Sequence, residues 1–516
     1  MKFIGRIKVI FIIINLIMLL PSNICFGEND GWTKHSPRLE IRPKFEYSNN
    51  TLTIKGNGIE SPIGSWKKKF KIKGGEHYYF SVDQKTINIK NVRQSAVVRL
   101  FWIDSEGNKA ERDEISYTPY RPGTIPRSEA EFLKTQTLTN DEWIKMSDVL
   151  KAPKKATDVV VELNLRWDGN GIIKWKNIEI SQTSSPTPRV VKLASVHYRP
   201  NDGSTNDEKC KLFSPFIEDA SKNNVDLIVL PETLTYYNSG RTYEQCAEPI
   251  PGPSTNYFAQ LAKKHNIHLV VGLIESENNL IYNVAVLIGP KNGIIGKYRK
   301  VCLPRGEIEG GFTPGTDYPV FETDIGKIGM MICYDGFFPE VARNLSNNGA
   351  EIIAFPVWGC NPLLASARAA ENHVYLVSST YTDASVNWMI SAIYGQDGIP
   401  IKEASSWGTL ISVEVDLNKR LYWPGLGDFK SEINIHRPIQ YANKDKLPRV
   451  NYITDGRIVI TEGLENQWYE ILVSSDLKKW NTLDHIFRSN EELQIYHDKK
   501  HNLFKDRFYL IKSLSN

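Results

Sequence analysis

Three segments of this chain end on side chains that could act together on an amide-like carbon. They are Val225-Asp-Leu-Ile-Val-Leu-Pro-Glu-Thr233, Gly296-Lys-Tyr-Arg-Lys-Val-Cys-Leu-Pro304 and Gly329-Met-Met-Ile-Cys-Tyr-Asp335. Each is an apolar strand or near-strand, and together they deliver a carboxylate, an ammonium and a thiol: Glu232, Lys300 and Cys333. A thiol needs a base to become a nucleophile, and the anion formed by its attack needs a cation or a pair of N–H groups to hold it. Taken singly, each residue has a plainer explanation. Cys333 could be an inert strand cysteine and Glu232 a surface residue opening a loop, and Lys300 is one of three nearby cations. Three such groups at three strand ends favour the chemical reading.

The order Glu, Lys, Cys with these flanking residues resembles the carbon–nitrogen hydrolase (nitrilase) superfamily, over roughly residues 189–420. Tyr334-Asp-Gly-Phe-Phe-Pro-Glu340 is similar to that family's nucleophile motif. The resemblance implies a four-layer α-β-β-α sandwich, commonly paired into dimers, so a homodimer is expected. It implies hydrolysis of a non-peptide carbon–nitrogen bond through a Cys333 thioester, with Glu232 as base and Lys300 on the oxyanion. The pattern Tyr-Arg-Lys-x-His-Leu-Pro selects Lys300 and leaves Lys297 and Arg299 as solvated charges. Here Cys302 stands where the pattern has His. A second glutamate is implied after the lysine. Glu307 and Glu309 compete for it, and Ile308-Glu-Gly310, with Pro314-Gly315 beyond, favours Glu309. The Tyr334 N–H would complete an oxyanion site, while Phe338 and Trp358 would line the substrate pocket. At the strand-to-helix turn, backbone N–H groups could also lower the thiol pKa of Cys333. Tyr334-Asp335 resembles the amidase and carbamoylase branches more than the nitrilases. A small-molecule amide is therefore the expected substrate, with nitrile or N-carbamoyl hydrolysis as alternatives. From another class, the chain could be a secreted carbohydrate- or ligand-binding protein on an inactive hydrolase scaffold. No cofactor is implied, and the sequence shows no metal-ligand spacing.

The elements that must position these groups follow from patterning. From Arg189 onward apolar strands alternate with amphipathic stretches, which predicts an α/β domain over 189–440. Helices are expected near 207–224, 254–265, 339–348 and from 366. The chain is long enough for several domains, at 516 residues. Residues 28–180 read as short alternating strands between Gly, Asn and Asp turns, which suits a β-sandwich or jelly roll. Ala152–Leu163, Trp167-Asp-Gly and Trp175-Lys-Asn-Ile loosely resemble galactose-binding-like modules of exported enzymes. Trp66, Trp102, Trp143, Trp167 and Trp175 could then form a platform for carbohydrate, although core packing is the commoner use of tryptophan in such a domain. Ser181–Pro188 is rich in Ser, Thr and Pro and reads as a linker that leaves the first domain separable. A small β domain is expected over 447–516.

The two ends of the composition argument concern place and partners. Lys2, Arg6 and Lys8 precede the apolar run Val9–Leu20, followed by small residues up to Gly27. This predicts a signal peptide over 1–27 and export to the periplasm or beyond. No membrane span is expected after its removal. The net charge of +4, from 63 basic and 59 acidic residues, carries no nucleic-acid footprint. The six cysteines form no C-x-x-C pair, and apart from Cys333 those of the exported chain are expected as buried free thiols.

Overall fold

The computed structural model describes residues 31–116, 123–138, 143–359, 361–382, 390–438, 449–453, 457–461, 467–476, 479, 481–488, 494–498 and 508–513. The expected leader, with Cys25, and Cys360 lie outside these residues. No described helix is long and apolar enough to cross a membrane.

Residues 33–183 form two antiparallel sheets. One has five strands in the order 33–35, 63–71, 158–166, 96–103, 131–132. The other has six, in the order 44–48, 51–55, 172–183, 77–87, 144–151, 135–138. The period-two alternation decides which side chains face inward. On Asp158–Arg166, Val159, Val161, Leu163 and Leu165 enter the core, and Asp158, Glu162, Asn164 and Arg166 take the opposite face. Trp66, Trp102 and Trp175 are core residues, not a platform. Each buried indole finds an acceptor: Thr53 O at 3.2 Å, Glu131 Oε1 at 2.6 Å and Gln84 Oε1 at 3.0 Å. Trp143 is half-buried beneath Lys176, and Trp167 is 51% exposed.

The central domain is built on two six-stranded sheets. The first runs 293–299, 280–289, 268–277, 227–229, 190–197, 409–416; the second runs 320–323, 326–330, 352–357, 375–380, 392–394, 400–403. Leu193, Leu227, Val229, Val270 and Leu287 of the first share one core with Ile328, Met330, Ile353 and Val377 of the second. That core continues into the helices Pro339–Asn347 and Pro362–Asn372, while Ser214–Lys222 and Pro253–His265 pack on the far face of the first sheet. The single helix expected near 207–224 is two, Asn206–Lys211 and Ser214–Lys222. Pro215 starts the second, where its missing N–H costs nothing.

Strand direction explains the site. The strands at 190–197, 227–229 and 268–277 are parallel, as are those at 326–330, 352–357 and 375–380. Two antiparallel steps give 293–299 the same direction as 268–277. Glu232, Lys300, Cys333, Trp358 and Tyr381 therefore all follow carboxyl ends of like-directed strands, the usual place for ligands in such sheets.

The expected separability of the first domain is not what the structure has. The described residues from 31 to 436 form one compact unit. Arg420 pairs with Asp148 at 2.6 Å and with Asp428 at 3.2 Å, Lys134 reaches Asp428 at 3.0 Å, and Arg112 lies 3.7 Å over the Tyr422 ring. The helix Phe429–His436 sets Ile435 against Val97, Ala130 and Phe132, and Arg93 donates to its Asn434 and Ile435 carbonyls, both at 3.0 Å. The strand Ile172–Thr183 takes in the first three residues of the expected linker, and the Ser/Thr/Pro composition says nothing of what packs across it. Residues 437–516 form a second unit. Its described strands make two three-stranded sheets, with Tyr469, Ile471 and Ile511 buried.

Candidate active site

Lys300 lies at the centre of the site. Its side chain is fully buried, and Nζ donates to Glu232 Oε1 at 2.8 Å and to Glu307 Oε1 at 2.6 Å. The alternation along Gly293–Arg299 continues to Lys300, so Tyr298 and Lys300 point inward. Lys297 and Arg299 point the other way, but they are not simply solvated. Both pair with Glu275, which is 1% exposed, and Arg299 stacks 3.7 Å over Tyr282.

Glu307, not Glu309, stands with Lys300. Both lie on the short helix Arg305–Glu309, and residues two apart on a helix are turned about 200° from each other. Glu307 faces inward, whereas Glu309 is exposed and pairs with Arg305 at 2.7 Å. Local sequence resemblance cannot fix the phase of a five-residue helix, which is why the expectation chose the wrong glutamate. Asn283, missing from the expected set, donates to Glu232 Oε1 at 2.8 Å and to Glu307 Oε1 at 3.1 Å. Its signal was visible: a lone amide in the apolar strand Leu280–Gly289.

Two backbone details place Glu232. Thr233, just after it, has φ 41, the left-handed region, so the chain turns sharply at the strand mouth. Across from it, Gly272 leaves room: a Cβ there would stand 2.6 Å from Glu232 Cα and 2.4 Å from Pro231 O. Tyr381, another residue the sequence did not point to, donates its hydroxyl to Glu232 O at 2.6 Å.

Cys333 has φ 39 at the head of a 3-10 turn, Cys333–Phe337, that leads into Pro339–Asn347. A non-glycine residue held there marks a strained turn of the kind that presents reactive groups. Its Sγ donates to Gly359 O at 3.4 Å. Asp335 secures the turn. Its carboxylate accepts from the N–H groups of Ile332 and Cys302 and from the Tyr298 hydroxyl, each at 2.8 Å. One carboxylate thus ties the cysteine turn to the lysine strand.

The charges set the resting state. Burial pushes the Cys333 thiol well up, the Glu232 carboxylate adds to this, and Lys300 opposes it without prevailing. The cysteine is therefore a thiol at neutral pH, contrary to the expected lowering. For Lys300, burial works against the charge, but Glu232 and then Glu307 outweigh it and hold the ammonium. Burial and then Glu232 raise the Glu307 carboxyl to about 7 against the pull of Lys300. Burial raises Asp335 to about 6. Cys302 rises to about 12, by burial and then by Asp335, so it is no second thiolate.

Aromatic rings stand beside these groups. Trp358, 43% exposed, lies 5.1 Å from Tyr237 and 5.3 Å from Tyr381, and Tyr236 lies 4.2 Å from Tyr243. Tyr334 and Phe338 meet edge to face, their ring centres 5.2 Å apart. Of the expected pocket residues, Trp358 alone joins the aromatic group near Glu232. Among the described residues, no group of three His, Cys, Asp or Glu could hold a metal ion.

A thiol, a carboxylate and a buried ammonium thus stand at like-directed strand ends. The family description "Carbon-nitrogen hydrolase" matches residues 192–424. The chain is 38% identical to a nitrilase of Pyrococcus abyssi (strain GE5 / Orsay) over 200 residues, 37% of this chain and 74% of that protein. It is 30% identical to omega-amidase NIT2 of Xenopus tropicalis over 251 residues, 44% of this chain and 86% of that one. Among solved structures, an amidase from Nesterenkonia sp. aligns over 46% of this chain and 95% of its own, with 22% identity and a TM-score of 0.39. The chain belongs to the carbon–nitrogen hydrolase family of the nitrilase superfamily, and it is an amidase-like hydrolase.

Proposed function

We propose that this enzyme hydrolyses a small carboxamide through a thioester on Cys333, within the four-layer α-β-β-α sandwich of its family. One observation carries the reading: a buried ammonium clamped between Glu232 and Glu307, on the strand end that Asp335 ties to the cysteine turn. Glu232 takes the thiol proton as Sγ bonds to the carbonyl carbon. Lys300 Nζ and the Tyr334 N–H hold the oxyanion. As the C–N bond breaks, Glu232 returns the proton to the leaving nitrogen, and ammonia or an amine departs. Water deprotonated by Glu232 then cleaves the thioester, giving a carboxylic acid and the free thiol. Glu307 and Asn283 fix Lys300 and Glu232 throughout.

The relatives' names point to both nitrile and amide chemistry. Asp335 following Tyr334 supports the amide, and nitrile or N-carbamoyl hydrolysis is the runner-up. Rates on an aliphatic amide and its matching nitrile decide between them, and faster acid formation from the nitrile overturns the amide reading. Intact-mass analysis with a slow amide should show an acyl adduct on Cys333; an adduct on Cys302 or Cys360 removes the assignment. A binding protein on a spent scaffold would show neither turnover nor adduct. We read residues 1–27 as directing export and the family's pairing as a homodimer; N-terminal sequencing of the mature protein and its mass in solution test these.

A further inference from the structure

A basic pocket lies on the outer face of the five-stranded sheet, in the first domain and away from the hydrolase residues. Its volume is about 270 Å³, and Arg166, Trp167, Arg99, His35, Asn164 and Ser65 line it. Arg166 ends the strand Asp158–Arg166 on its outward row and is 9% exposed. Its guanidinium makes no hydrogen bond or ion pair among the described residues. The nearest carboxylate, Glu162, is already taken: Lys67 holds one oxygen at 2.6 Å and Arg99 the other at 2.6 Å. A guanidinium this buried ordinarily has a partner. The lack of one shows in its pKa, lowered to about 10 by burial and then by Arg99, with Glu162 offering partial relief. Burial and then Arg166, Arg99 and Arg93 lower the pKa of His436 nearby, so the cations on this face are the three arginines.

Beside Arg166 the chain does something costly. Trp167 sits at φ 59 with half its surface in solvent, its N–H fixed to Pro62 O at 2.7 Å. The left-handed region is unfavourable for so bulky a residue. The result is a large flat ring presented at the rim of a pocket whose floor holds an unmatched guanidinium. A fork of N–H donors pairs with a carboxylate or a sulfate, and the face of an indole stacks on the apolar face of a ring.

We infer that this face binds an anionic sugar ring, its carboxylate or sulfate on Arg166 and its ring on Trp167. The site is independent of the hydrolase triad.

Isothermal titration of the full chain tests this, using D-glucuronate and galactose 6-sulfate as ring anions, methyl glucoside as the neutral ring and inorganic sulfate as the bare anion. At least one ring anion should bind, and which one identifies the oxyanion. The neutral ring and bare sulfate should bind about tenfold more weakly or worse. Arg166→Gln should weaken ring-anion binding about tenfold or more, the loss expected for a charge-assisted pair. Trp167→Ala, at an exposed position, should weaken it as well. The bound ring anion should raise the melting temperature of wild type and not that of Arg166→Gln. Failure of both ring anions to bind, equal binding of the neutral ring, equal binding of bare sulfate (an adventitious ion only), or unchanged binding in Arg166→Gln while its melt is cooperative would each overturn the proposal.

Discussion

At the scale of single residues, the sharpest test separates the two glutamates. Glu307→Gln removes a charged partner from Lys300. A charge-assisted hydrogen bond is worth about 1.5–3 kcal/mol, so the rate should fall roughly ten- to a hundredfold. Glu309→Gln breaks an exposed pair with Arg305 and should leave the rate near wild type. Equal losses would return Glu309 to the site. Glu232→Gln should cost about a hundredfold or more, because the general base is lost. Stability should report on Glu307 too. Its carboxyl titrates near 4.5 when unfolded and about 7 when folded, so the folded chain holds the extra proton between those values. Its contribution to stability is full below 4.5 and lost as the pH rises through 7. Melting temperature plotted against pH should fall less steeply across that window in Glu307→Gln than in wild type.

At the scale of elements, the strand ends decide what can be read from sequence. Glu232 and Cys333 were legible because each closes an apolar run, where a charged or reactive group needs a reason, and Lys300 because its flanking residues single it out from Lys297 and Arg299. Glu307 was not, since its selection rests on the phase of a one-turn helix. Nor was the clamp made by Asp335, whose partners Cys302 and Tyr298 come from a different strand. That clamp makes a prediction of its own. Asp335→Asn offers one acceptor oxygen and an NH₂ to three donors, so a donor must face a donor. The cost should be about 1–3 kcal/mol of stability in chemical denaturation. Because the cysteine turn and the lysine strand lose their common anchor, turnover should fall as well, while Cys333 remains open to an irreversible thiol reagent. Arg299→Ala should behave differently. It strips the buried Glu275 of one cation, and so should lower the melting temperature more than it lowers the rate per folded molecule.

At the scale of the whole molecule, the first domain and the hydrolase domain share buried charge. Arg420 serves Asp148 and Asp428 and lies 3.6 Å from Glu131. Burial disfavours the Asp428 carboxylate, but Lys134 and Arg420 overcome it and hold that group down at about 2. Arg420→Ala would strip Asp148 of its cation and leave Asp428 to Lys134 alone, and should cost about 3–5 kcal/mol. A chain starting near Pro186 should lose solubility or melt well below the full protein, because Tyr422, Asp428 and the helix Phe429–His436 all lose their cover. An intact melting temperature in that shortened chain would mean that the junction carries little.

The same helix has a consequence for how the protein is made. Residues 33–183 leave the ribosome first and can close both of their sheets at once, since every strand is present. Val97, Ala130 and Phe132 nevertheless stay bare until the chain has run on through the whole hydrolase domain and Ile435 arrives. For the length of that synthesis the first domain carries an uncovered greasy patch, and its completion becomes the last act of the second. Anything that stalls translation between the two leaves a half-finished molecule with a sticky face, and a chaperone would have its longest opportunity there.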